Sequence, residues 1–226
     1  MSRSASRSRP SGACAALALA VCLLAGAARA GDWQPVLDTD GVAVRERAVA
    51  GRALPDFQGE TAIDADPYQI LAVILDAPAQ TAWMWQCIES RVLARDGDAV
   101  VVHHRIKAKW PATDRDVVFR EVARVDEPGR RLSVRLTTEA NSGAPPVSQL
   151  VRMPLLDALF ELSALDATRT RVTYTVSADP GGMLPASFLK ETVRQSPFDT
   201  LVGLRKRVAE TLGRYDDVAA RWRAGR

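Results

Sequence analysis

From residue 87 onward, apolar and polar side chains alternate in runs separated by short polar turns, and this period of two predicts one strand after another. The runs cover 88–94, 99–108, 116–125, 132–138, 148–153, 158–165 and 171–177. Turn chemistry divides them at Asp96-Gly97-Asp98, Asp126-Glu127-Pro128-Gly129, Asn141-Ser142-Gly143 and Asp166-Ala167-Thr168. Two earlier runs, 42–49 and 57–63, have the same character. Strands joined by short connections predict an antiparallel meander. Between residues 63 and 88 the period changes. Asp66-Pro67 supplies a cap and a first-turn proline, and Tyr68, Leu71, Ala72 and Leu75 follow at helical spacing. Ala77-Pro78 ends that helix, and a second short turn carries Thr81 to Trp85.

The end of the chain is helical again. A short helix is predicted over 185–195, with Phe188, Leu189 and Val193 apolar. Ser196-Pro197 then reads as the start of a longer helix. On it Phe198, Leu201, Leu204, Val208, Leu212 and Tyr215 form one face, and Asp199, Lys206, Arg207, Glu210 and Arg214 the other. Such a stripe packs on a sheet, so the class is α+β rather than a plain β-sandwich. Strand alternation also assigns faces. His104 shares a side with Val100, Val102, Ile106 and Ala108, while His103, Arg105 and Lys107 point the other way. Val117, Phe119 and Glu121 form a matching set, as do Leu132, Val134 and Leu136, then Phe160 and Leu162, then Val172, Tyr174 and Val176.

The first thirty residues change the picture of the whole. Arg3, Arg7 and Arg9 precede an apolar run from Ala13 to Ala27, and Ala28-Arg29-Ala30 has the form of a signal-peptidase site. The expectation is a signal peptide over 1–30, cleavage before Gly31, and a single exported domain over 31–226, periplasmic or secreted. The run falls short of the roughly 20 residues of a membrane span. Removing Arg3, Arg7, Arg9 and Arg29 leaves 26 basic against 27 acidic side chains, a near-neutral protein without a basic block. That argues against nucleic acid as a partner. Cys14 and Cys22 leave with the leader, so Cys87 remains with no internal partner for a disulfide.

Several motifs in order carry a resemblance. Trp85 follows the first helical segment. Trp110-Pro111-Ala112-Thr113-Asp114-Arg115-Asp116 is similar to an aromatic-Pro-x-Ser-x-Arg-Asp segment, with Thr113 in place of Ser. Asp179-Pro180-Gly181-Gly182-Met183-Leu184-Pro185 matches a turn into a closing helix, and Leu204-Arg205-Lys206-Arg207 a later basic turn. Together they resemble the START family of lipid-transfer domains over most of residues 33–212. The resemblance implies a helix-grip fold, in which a curved antiparallel sheet is closed around a cavity by a long C-terminal helix. It also implies non-catalytic binding, and transfer, of one lipid, fatty acid or sterol-like molecule, with no cofactor and with transient contact at a membrane surface. Because other helix-grip proteins are cyclases or hydrolases acting on apolar substrates, an enzyme is the alternative.

The residues expected to meet a ligand are Glu89, Val102, His104, Ile106, Val117, Phe119, Val134, Phe160, Tyr174, Phe188, Leu201 and Leu204. His104 reads either as a polar group inside the cavity or as a satisfied core histidine. Glu89 matches the place where sterol-carrying relatives put an acidic residue, but the position of its basic partner holds Glu121. The positions at which phosphatidylcholine-binding relatives form an aromatic cage hold His104 and Val117. His103 and His104 point to opposite faces and make a poor metal pair. Asp114, Arg115 and Asp116 read as a brace for the turn after Trp110-Pro111 rather than as acid–base chemistry.

Overall fold

The computed structural model describes residues 31–126, 131–140, 144–183 and 185–225. The leader and the turns at 127–130 and 141–143 lie outside the described residues. Ten strands form one sheet: β1 (Gln34–Thr39), β2 (Val42–Arg47), β3 (Asp56–Ile63), β4 (Cys87–Asp96), β5 (Ala99–Ile106), β6 (Arg115–Asp126), β7 (Arg131–Thr138), β8 (Val151–Arg152), β9 (Leu155–Ala164) and β10 (Thr170–Asp179). The order is β1-β2-β3-β10-β9-β7-β6-β5-β4. Every pairing on this path is antiparallel, and the two-residue β8 adds parallel to β6. The sheet is not closed into a barrel, since β1 and β4 remain as edges.

Alternating burial along β5, β6, β7, β9 and β10 shows the apolar face turned toward the helices. Val102, Phe119, Val134, Phe160 and Val172 are fully buried there. Helix α1 (Pro67–Ile74) begins where the sequence predicts, with the Asp66 carboxylate accepting the Tyr68 N–H at 2.9 Å and Pro67 in the first turn. A 3-10 turn follows over Ala77–Ala82. The C-terminal helix α2 (Ala186–Glu210) lies over β2, β3 and β10. In its second half Leu201, Leu204 and Val208 are buried, each contributing about 1.5–3 kcal/mol of apolar transfer.

Close approach seats that half. A Cβ on Gly59 of β3 would stand 2.7 Å from Leu201 Cδ1, and a Cβ on Gly203 would overlap the carbonyl oxygen of Trp83. Backbone thus meets helix at one point and helix meets backbone at the other.

Several expectations need correction. The two predicted terminal helices are one, with Pro197 inside it. Proline costs the helix one internal hydrogen bond, and here Pro197 packs closely against Gly59 of β3. The predicted stripe ends early: α2 stops at Glu210, Leu212 is exposed, and a separate helix α3 (Asp216–Arg223) packs on α1. The predicted strand 148–153 shrinks to β8. The strand β1 was absent from the prediction because Gln34–Thr39 is exposed or half-exposed throughout and carries no buried alternation.

Candidate functional site

An apolar cavity lies between the sheet and the first half of α2. Its sheet wall is built by His104 and Ile106 on β5, Leu136 on β7, and Tyr174, Val176 and Ala178 on β10. Leu189, Thr192, Val193 and Ser196 of α2 roof it at helical spacing, while Met84, Trp85, Met153 and Leu156 fill the flanks. The enclosed volume is about 90 Å³. Pockets that enclose drug-sized ligands run to roughly 300–1,000 Å³, so a lipid enters only if the walls move.

His104 and Tyr174 place polar groups on the sheet wall. His104 is buried, packs edge-on against Phe119 at 4.7 Å, and lies 2.6 Å (Nε2) from Gln80 Oε1. Gln80 Nε2 donates to the Ile74 carbonyl at 2.9 Å, which fixes its amide, so the His104 nitrogen facing Oε1 carries the proton. Burial pushes the imidazole down to about 3, and it is neutral at ordinary pH. Tyr174 stacks on Phe160 at 4.3 Å and is hydrogen-bonded with Ser196; burial raises its phenol above the usual range.

The mouth is formed by the two motifs singled out in the sequence. Asp114 accepts the Ala108 N–H at 3.0 Å and an Arg105 N–H at 3.1 Å, folding residues 108–114 into a compact turn. The backbone bond from Ala108, partly offset by desolvation and helped by Arg105 and Lys107, holds the Asp114 carboxyl below the usual carboxylate range. Arg115 is buried and donates to the carbonyls of Thr113, Pro180 and Gly181, tying this turn to the one that leads into α2. Lys107, Lys109, Ala112 and Pro180 border the opening, and beside them Trp110 and Met183 are 87 % and 101 % exposed.

Of the residues expected to meet a ligand, His104, Ile106 and Tyr174 border the cavity. Val102, Val117, Phe119, Val134, Phe160, Leu201 and Leu204 are buried in the core beside it and do not line it. Glu89 is partly exposed and paired with Arg91 at 2.6 Å. The side chain of Phe188 lies outside the described residues. Both readings of His104 hold together: it is a satisfied buried histidine and a cavity wall.

On the opposite face of β5, where alternation assigns it, His103 is buried. Its Nε2 lies 3.0 Å from Asp116 Oδ2, which Arg152 also engages at 2.7 Å. Asp116 lies at the start of β6, after Arg115, within the strand predicted over 116–125. Burial raises its carboxyl, but the bonds from Arg152 and His103 outweigh that and hold it low. Among the described residues no three His, Cys, Asp or Glu side chains are grouped to hold a metal ion.

Sequence reasoning missed the roof residues Thr192 and Ser196 because reading Ser196-Pro197 as a helix start hid their common face with Leu189. It missed Gln80, a polar residue in a short turn, for which the pattern gave no signal.

A family model described as "Polyketide cyclase / dehydrase and lipid transport" matches residues 63–202, more than half of the chain. The chain belongs to this family. It is 32% identical over 189 residues to an uncharacterized protein of Pseudomonas aeruginosa, covering 84% of this chain and 93% of that one. The STAR-related lipid transfer protein fragment from Xanthomonas axonopodis superposes with a TM-score of 0.72 at 29% identity, over 78% of this chain and 98% of that one. Human STARD10 gives a TM-score of 0.72 at 18% identity over 82% and 76%, a likeness of fold alone. The family's architecture is therefore the START-like helix grip, and β1–β10 with α2 are its parts here.

Proposed function

We propose that this START-like protein binds a single hydrophobic ligand, a lipid, fatty acid or sterol-like molecule, beneath the first half of α2, and carries it without chemistry. The apolar cavity between sheet and helix is the observation that carries this reading: its inner polar groups are a neutral histidine, a tyrosine–serine pair and a threonine, which orient rather than attack. Native mass spectrometry and extraction of the purified protein test it. One unchanged lipid-like molecule per chain is expected; an empty protein that also fails to take up a fluorescent fatty acid overturns it.

The family's description also names cyclases and dehydrases. A helix-grip enzyme acting on an apolar substrate is the second reading, with His104 and Tyr174 as the groups meeting the substrate. Recovery of altered products from extracts incubated with the protein would favour it.

Delivery requires the mouth to meet a membrane. Trp110 and Met183 supply exposed apolar tips, and Lys107 and Lys109 supply positive charge beside them, the composition of an interfacial contact. Export follows from the Arg3–Ala30 leader in this reading, and N-terminal sequencing of protein recovered outside the cytoplasm should begin at Gly31.

A further inference from the structure

Gln80 bonds His104 of the apolar cavity on one side and, on the other, Glu121, which borders a second space of about 440 Å³. This one is bounded by the β4–β5 turn, β6, the end of α1 and helix α3. Glu121 of β6 borders it and is 1% exposed. One carboxyl oxygen, Oε2, accepts from Gln80 Nε2 at 3.0 Å. The other, Oε1, is buried without a protein partner. Gln80 has nothing left to give it, since its amide is committed to the Ile74 carbonyl, to Oε2 and to His104. A buried carboxyl with one oxygen unmatched is a costly way to fill a core that an apolar side chain of similar size would fill better. The missing partner is therefore a donor that arrives from outside.

The surroundings define its chemistry. An ammonium group supplies both charge and donors to a buried carboxylate. Leu75, Val100 and Val218 offer apolar wall to a short methylene chain, and the half-buried Trp222 adds a flat aromatic surface to it. At the outside stand Arg95 and Arg221, both exposed and opposite in sign to Glu121, two cations against the one carboxylate of Asp98 on the same rim. Arg95 acts on Glu121 as a positive charge, favouring the ionised form against the burial that raises its carboxyl to about 7.

We propose that this space is a second binding site, for a small amphipathic zwitterion that places an ammonium group on Glu121 Oε1, its methylenes against Val218 and Trp222, and a carboxylate at Arg95 and Arg221. The site is independent of the lipid cavity and stands whether or not the cavity carries a lipid.

Calorimetric titration of 6-aminohexanoate into the full-length protein at about pH 8 tests it. One molecule per chain is expected to bind. Glu121→Gln, which keeps the shape and removes the charge, should weaken it by about tenfold or more, and Arg221→Ala by several-fold. Hexanoate, which lacks the ammonium, should bind wild type no better than it binds the Glu121→Gln variant. No binding to wild type overturns the site, and so does equal affinity for Glu121→Gln or for hexanoate. Should Glu121→Gln fail to fold, Arg221→Ala on the exposed face of α3 decides alone, and an unchanged affinity there overturns the proposal. Uptake of a fluorescent fatty acid, measured on the same samples, reports the lipid cavity separately.

Discussion

Buried between two cavities, the line His104–Gln80–Glu121 contains two titratable groups whose shifts act on stability in opposite directions. The Glu121 carboxyl is raised from 4.5 to about 7 by burial, so the folded protein holds that proton more tightly than the unfolded chain. Its contribution is fully present below about pH 4.5 and is lost as pH rises through 7. His104 is lowered from 6.5 to about 3, so its contribution is present above 6.5 and is lost as pH falls through 3. Between pH 4.5 and 6.5 the two slopes oppose each other and the wild-type profile is shallow. Glu121→Gln removes one of them. Urea unfolding across this range should show the variant gaining on wild type as pH rises, by a total on the order of 3 kcal/mol at pH 8. A difference that stays constant with pH rejects the shift. At this scale the sequence was partly legible. Alternation put His104 and Glu121 on the inward side of β5 and β6, but nothing in a one-dimensional pattern shows that Gln80, arriving from another element, joins them.

The second half of α2 is a fixed element and the first half is not fixed in the same way. Leu201, Leu204 and Val208 are buried, and Gly59 and Gly203 let backbone and helix touch. Glycine to alanine inside a helix ordinarily stabilises by up to about 1 kcal/mol. At Gly203 the sign should reverse, because the new methyl meets the Trp83 carbonyl, which is backbone and yields little. Gly203→Ala is expected to lose about 1–3 kcal/mol in a denaturant titration. Leu204→Asp should abolish folding or ligand uptake, since its carboxylate would sit at a position with no exposure. Glu210→Ala, with an exposed side chain, should change neither; a loss there would show the helix is held by its polar face. Element type was readable here from the 3.6-residue stripe, and element boundaries were not. A proline preceded by serine carries the same local signal whether it opens a helix or sits within one, and only packing against β3 decides.

For the molecule as a whole, the cavity of about 90 Å³ would admit the proposed lipid only with a moving wall. The first half of α2 roofs the cavity with four side chains; the Lys190–Glu46 pair at 2.8 Å, partly exposed and worth little in water, joins it to the sheet near its start, and the Ser196–Tyr174 hydrogen bond joins it near Pro197. It is the part best placed to lift, pivoting near Pro197. Cysteines at positions 190 and 46, joined by a short bismaleimide, should slow exchange of a bound fluorescent fatty acid by about tenfold or more without unfolding the protein. Cys87 should stay out of that reaction, since burial pushes its thiol to about 12. Unchanged exchange in the tethered protein would move the gate to the 107–114 turn.

The strand order holds one more consequence, which concerns time. β10 lies between β9 and β3, so Thr170 pairs with both Ala164 and Ile63. The first ribbon of the chain, β1 to β3, has no neighbour to complete its sheet until residues 170–179 have been synthesised. A leading portion that stops before β10 leaves the β1–β3 ribbon and the β4–β9 meander unjoined, and pairings this distant in sequence close slowly. A ribosome-bound or truncated chain ending near residue 165 should therefore remain protease-sensitive throughout, not in its last strands alone. A polypeptide that finishes folding only when its final strand arrives stays threadable for as long as it is being made, which suits the export proposed for it.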